Sequence, residues 1–202
     1  MSAVIGVCGV NFCTLVADTR MVTNDHNNKN GLSIISEDCR KIFKVNDHLL
    51  WGCTGWYHSG ETMLDPLNPF VDKSAVTLNA LKDSCKNHLE TNAAMIYNRN
   101  YIIGEKRKNG TFRLCEMHFN PSSRQVESMI RAPAPDSSNF AISFAIPGKV
   151  NPYAGHVNAK IEECIYASRT LDDLIHKLGS VISMISEIDD TVGNKAISLT
   201  LT

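Results

Sequence analysis

Three residues near the start of the chain have the types and order for acyl-transfer chemistry: Ser2, Asp18 and Lys41. Ser2 stands directly behind Met1, so loss of that methionine would give one residue both a hydroxyl nucleophile and a free α-amine. A serine hydroxyl is a weak nucleophile that needs a base within hydrogen-bond reach, and an α-amine, with an ordinary pKa of about 7.7–8.0, is well matched to neutral pH. A retained Met1 would acylate that amine and block the chemistry. A lysine drawn in beside a carboxylate, close to the amine, would polarise the hydroxyl and hold proton positions. Taken singly, each residue has an ordinary reading. Serine is a common second residue, Asp18-Thr19-Arg20 is turn chemistry, and Arg40-Lys41 is a solvated pair at a strand entrance. Their joint order carries the catalytic reading.

The elements that must position these residues are short apolar runs. Val4–Cys8 and Phe12–Ala17, flanking Gly9-Val10-Asn11, predict a β-hairpin, and its antiparallel return brings Asp18 back beside Ser2. The stretch from Arg40 to Trp56 predicts a second hairpin, with Lys41 at its start and Gly55 at its end. A helical turn over His58–Leu64 should stop at Asp65-Pro66, and Ser74–Leu89 repeats apolar residues at helical spacing. Strands are expected over Tyr101–Glu105, Thr111–Met117, Val126–Arg131 and Phe140–Ile146, with turns at Lys108-Asn109-Gly110, Asn120-Pro121 and Pro147-Gly148. Helices follow over Ala154–Ala167 and Leu171–Ile188, the second opened by Thr170 with Asp173 as a variant capping box. By periodicity this is a mixed α/β (α+β) chain forming one domain, residues 1–202.

The chain resembles the proteasome β-subunit family of the N-terminal nucleophile hydrolases, including its smaller bacterial relatives. In that family an Asp follows the nucleophile by sixteen residues within Ala-Asp-(Ser/Thr)-Arg, and Ser2 and Ala17-Asp18-Thr19-Arg20 keep that spacing. Lys41-Ile42 through Cys53-Thr54-Gly55 resembles the family's lysine hairpin, and Asp190-Thr191-Val192-Gly193 through Thr200 its last loop and strand. The resemblance implies Ser2 as nucleophile, Asp18 and Lys41 as catalytic partners and the Gly55 backbone N–H as oxyanion donor. Arg20 and Asp190 would be auxiliary. It also implies a four-layer αββα sandwich of two antiparallel sheets between helical layers, and a homo-oligomeric ring or stack, with an ATP-dependent unfoldase as a possible partner.

Departures from the family are specific. The nucleophile is Ser in place of Thr, the segment between Arg20 and Lys41 is longer and polar, Gly193 stands where the family has a serine, and Ile146-Pro147-Gly148 replaces Gly-Ser-Gly. These changes bear on the auxiliary hydrogen bonds and leave Ser2, Asp18 and Lys41 in place.

Lys and Arg total 20 against 21 Asp and Glu, a formal net charge of −1, so charge gives no reason to expect a nucleic acid or an anionic membrane as partner. Seven cysteines, an odd number without a CxxC pair, point to a reducing, cytoplasmic setting, and several, such as Cys8, Cys13 and Cys53, lie within apolar runs where a free Cys acts as a small hydrophobe. No apolar run approaches the ~18 residues of a membrane span. The histidines show no HExxH spacing, Gly148-Lys149 is no phosphate loop, and neither metal nor cofactor is expected. His58, Trp51, Cys53 and Trp56 are candidates for lining a partly aromatic pocket. The expected function is hydrolysis of a peptide or amide bond. The competing expectation is a non-catalytic proteasome-like subunit with a structural, assembly or binding role.

Overall fold

The structure, a computed structural model, describes residues 2–24, 31–55, 64–91, 99–120, 122–134 and 139–202. Met1, Trp56 and His58, and with them all but the last residue of the expected helical turn over 58–64, lie outside the described residues.

The first hairpin pairs β1 (Val4–Cys8) with β2 (Cys13–Asp18), both buried along their full length. A two-stranded ribbon follows, β3 (Met21–Asn24) with β4 (Leu32–Ser36), then the second hairpin, β5 (Ile42–Asn46) with β6 (Leu49–Thr54). After α1 (Leu78–Thr91) come β7 (Asn100–Lys106), β8 (Phe112–Asn120), β9 (Gln125–Arg131) and β10 (Ala141–Ala145). The chain closes with α2 (Ala154–Ala167), α3 (Leu171–Ile188) and β11 (Ala196–Leu201).

Two larger antiparallel sheets face one another. One has the order β10-β1-β2-β11, the other β5-β6-β7-β8-β9. Between them lie Val4, Cys13, Leu15, Ile42, Leu50, Ile102 and Leu114, all essentially inaccessible to solvent. The Ser143 hydroxyl donates to Glu116 Oε2 at 2.7 Å and ties β10 to β8 across that interface. The other face of the four-stranded sheet is covered by α2 and α3 through Val157, Ile161, Leu178, Ile182 and Ile185. On the far side of the five-stranded sheet, α1 contributes Leu81, Cys85 and Leu89 against Trp51, Tyr101 and Met117, joined by Leu67 and Val76 from the turns that precede it.

The expected four-layer αββα sandwich is corrected by the balance of elements. Among the described residues the chain is mostly β, with eleven strands in three antiparallel sheets and only three α-helices. Part of the difference is the polar segment after Arg20, which contributes a third sheet. Leu32-Ser33-Ile34-Ile35-Ser36 folds as β4 against β3, although Ile34 and Ile35 remain more than half exposed. Helix α1 also begins later than its apolar spacing predicts. Lys73–Ala75 forms a separate 3-10 turn, and the Thr77 hydroxyl accepts the Ala80 N–H at 3.3 Å, the contact of an N-terminal cap.

The cysteine expectation changes as well. Cys8 and Cys13 stand opposite one another in the β1–β2 register and form a disulfide, whereas Cys39, Cys53, Cys85, Cys115 and Cys164 are free. No helix among the described residues is long and apolar enough to cross a membrane.

Candidate active site

Asp18 ends β2 at the point where β1 begins, and the pairing of these strands fixes its neighbours. Its backbone N–H donates to the Ala3 carbonyl at 3.2 Å, and the Ala3 N–H returns to Asp18 Oδ1 at 2.8 Å. Ser2 is thereby held one residue from a doubly tied position, and it is itself only 4% exposed.

The other carboxylate oxygen gathers three segments. Asp18 Oδ2 accepts from Lys41 Nζ at 2.6 Å, from the Arg20 N–H at 3.0 Å and from the Gly193 N–H at 3.1 Å. Lys41 Nζ also donates to the Arg20 carbonyl. Asp18 and Lys41 are both essentially inaccessible to solvent. Burial pushes the Lys41 ammonium below the usual lysine range, and the facing Asp18 carboxylate opposes that displacement without cancelling it. Such a lysine gives up its proton more readily than one in water, which is the property a proton-handling group needs.

Pairing of β5 with β6 carries Lys41 to this place. Its carbonyl accepts the Cys53 N–H at 3.0 Å, so the lysine stands opposite Cys53 at the end of β6 that leads through Thr54 to Gly55. Gly55 has φ of +114°, a backbone conformation open to glycine and costly for other residues, and it turns the chain as the strand ends.

The auxiliary residues divide. Arg20 spans the loop, its Nε donating to Glu37 Oε1 at 3.1 Å and its Nη1 to the Asp190 carbonyl at 2.8 Å. Asp190 meets the site through that carbonyl. Its carboxylate is turned outward, 3.8 Å from Lys149 on the Pro147-Gly148 turn. The fully buried acid is its neighbour Asp189, whose Oδ1 accepts from the N–H and the hydroxyl of Thr191 at 2.9 and 2.6 Å.

Gly193, read from the sequence as a lost hydroxyl, supplies a backbone donor to Asp18. A Cβ there would lie 2.9 Å from Arg20 Cβ and 3.1 Å from its nitrogen, so the close approach needs glycine. The signal available in the sequence was a lone glycine just ahead of a terminal strand. Trp51 and Cys53 do not line a cleft. Both are fully buried beneath α1, and the Trp51 ring lies 5.6 Å from those of Phe43 and of Tyr101.

Among the described residues no three His, Cys, Asp or Glu side chains cluster as metal ligands. A scan against protein-family models and a search of curated proteins both find no match to this chain.

Proposed function

We propose that the chain is an amide or peptide hydrolase of the N-terminal-nucleophile type, with Ser2 as its nucleophile once Met1 is removed. The observation that carries this reading is the buried Asp18–Lys41 pair, tied through Asp18 Oδ1 to the N–H of Ala3, the residue that follows Ser2. In the proposed cycle the Ser2 α-amine takes the hydroxyl proton directly or through one water, and Oγ attacks the carbonyl carbon. Lys41, oriented by Asp18 and the Arg20 carbonyl, balances the negative charge that develops. The Gly55 N–H serves as oxyanion donor. Collapse of the tetrahedral intermediate expels the amine with the proton held by the α-amine, and water hydrolyses the resulting ester by the reverse proton path. No cofactor enters this chemistry. A peptide substrate and a homo-oligomeric assembly, fed by an ATP-driven unfoldase, belong to the same proposal through the resemblance to proteasome β-subunits. The layered fold of that family is not taken over.

The test joins two measurements on natively produced protein. Intact mass reports whether Met1 is lost, and a serine-directed acylating β-lactone reports reactivity. The expected result is a Met-free chain that takes up one equivalent at Ser2, with Ser2→Ala unlabelled and inactive yet folded. A Met-free chain that neither labels nor hydrolyses peptide amides would end the catalytic reading.

A second reading has its own support. Ser2 is nearly inaccessible, and Asp18 is fully engaged by four donors, from Ala3 just ahead of β1, Arg20 between β2 and β3, Lys41 just ahead of β5 and Gly193 in the loop before β11, which is what a purely architectural ion pair would also need. In that case the chain is a non-catalytic subunit of an assembly. A retained Met1 in the native protein favours it.

A further inference from the structure

β9 is the outer strand of the five-stranded sheet. β8 pairs along one side of it from Gln125 to Arg131, and among the described residues no strand lies on the other side. Such an edge offers unpaired N–H and C=O groups to any strand that fits. Apart from Val126, which packs toward α1, every residue of β9 is exposed, with Met129 at 52% and Ile130 at 47%.

The charges along this strand select its partner. When a second β9 is laid antiparallel on the edge, side chains on matching faces meet only in registers that keep odd positions opposite odd ones. Centring on Glu127 or on Arg131 sets like charges against each other. Centring on Ser128 leaves Glu127 opposite Met129, and centring on Ile130 leaves Arg131 opposite Met129. Only centring on Met129 puts Glu127 opposite Arg131, and the symmetry makes that pair twice. Ser128 then faces Ile130, Val126 faces Ala132, and Pro133, which has no N–H to donate, ends the ladder opposite Gln125.

Glu127 is already held in place on this face. Its Oε1 accepts from Asn120 Nδ2 at 2.6 Å and its Oε2 lies 3.3 Å from His118 Nε2. A carboxylate has about four lone-pair sites, so these contacts leave room for a guanidinium.

We propose that β9 is the contact strand of a two-fold homodimer, in which two copies pair antiparallel about Met129 with Glu127 and Arg131 exchanging ion pairs across the axis. The two five-stranded sheets become one continuous sheet. The occupant is a second copy of this chain because the strand's charge pattern complements itself. This proposal does not depend on Ser2.

Light scattering on the full-length chain at micromolar concentration, with circular dichroism to confirm folding, tests it. The wild type should show at least twice the 22.3 kDa chain mass. Glu127→Arg and Arg131→Glu each make the strand self-repelling and should weaken association about tenfold or more. Mixing these two variants in equal amounts should restore it, because each then meets its complement, and the double variant E127R/R131E should associate like the wild type. A monomeric wild type, single variants that associate unchanged, or a mixture and double variant that both stay dissociated would each overturn the proposal. A strand from a different protein as the true occupant would appear as a monomeric wild type.

Discussion

Lys41 is the residue where burial and chemistry meet most directly. Asp18→Asn leaves its ammonium buried without a full counter-charge, and should cost about 3–5 kcal/mol of stability in urea unfolding. The double variant Asp18→Asn/Lys41→Met should recover part of that loss, since it removes the buried ammonium that Asp18→Asn leaves without a counter-charge. In turnover by Met-processed protein, Asp18→Asn and Lys41→Ala should each lose more than ~100-fold, with the double variant little worse than either, because groups acting as a unit are not additive. Stability should also carry a pH signature. Burial lowers the folded-state pKa of Lys41 from its ordinary value, so between the lowered value and the ordinary one the unfolded chain binds the extra proton. Stability should therefore rise with pH through that window, and Lys41→Met should remove the rise; an unchanged slope would show that another group titrates there. Asp18 and Lys41 were legible in the sequence because each sits at the edge of an apolar run whose pairing is set by a hairpin. Asp189 was not legible, because nothing local distinguishes it from Asp190 until the turn after α3 points one carboxylate inward and the other at Lys149.

At the scale of elements, caps and close approaches decide where the chain turns. The Thr170 hydroxyl accepts the Asp173 N–H at 3.1 Å, while Asp173 Oδ2 reaches back to the Arg169 N–H, one residue earlier than a standard capping box. Thr170→Ala should cost about 0.5–2 kcal/mol in thermal or urea unfolding. Gly193→Ala should cost more than that cap. It drives a methyl into Arg20 and draws a backbone donor from Asp18, with about 1–3 kcal/mol expected from overpacking alone. Equal stability of the alanine variant would show that the loop relaxes freely. β1, β2, β7, β8 and β10 fall close to the runs that predicted them, because strands buried on both faces or alternating along one leave a strong apolar signal. β3 and β4 leave little. None of their described side chains is buried, so their pairing follows from the chain's route between Arg20 and Lys41 rather than from hydrophobic pattern.

For the whole molecule, stability rests on the interface between the two larger sheets, where Leu15 of β2 has no accessible surface and packs with Leu114 and Ile102. Leu15→Ala should cost about 2–5 kcal/mol, read as a lower midpoint in denaturant. Local patterns predicted most of the individual elements, yet not their grouping into a mostly β, three-sheet architecture. Which strands share a sheet is decided by pairings such as β1 with β10 and β2 with β11, far apart in sequence, and side-chain period says nothing about those. The Cys8–Cys13 pairing was hidden for a related reason. Residues that read as two separate small hydrophobes become neighbours only when the hairpin register is set.

The Gly193 N–H reaches Asp18 across 175 positions of sequence. During synthesis, then, the segment around Ser2 is made first and its surroundings are completed last. Enzymes that trim the amino terminus meet an open hairpin early and a closed one later. Because Ser2 is only 4% exposed once the fold is complete, protein refolded with its methionine intact should resist methionine aminopeptidase where a peptide of the same first residues is cut readily. Equal cleavage of the two, read by mass, would mean that the terminus stays accessible after folding is complete.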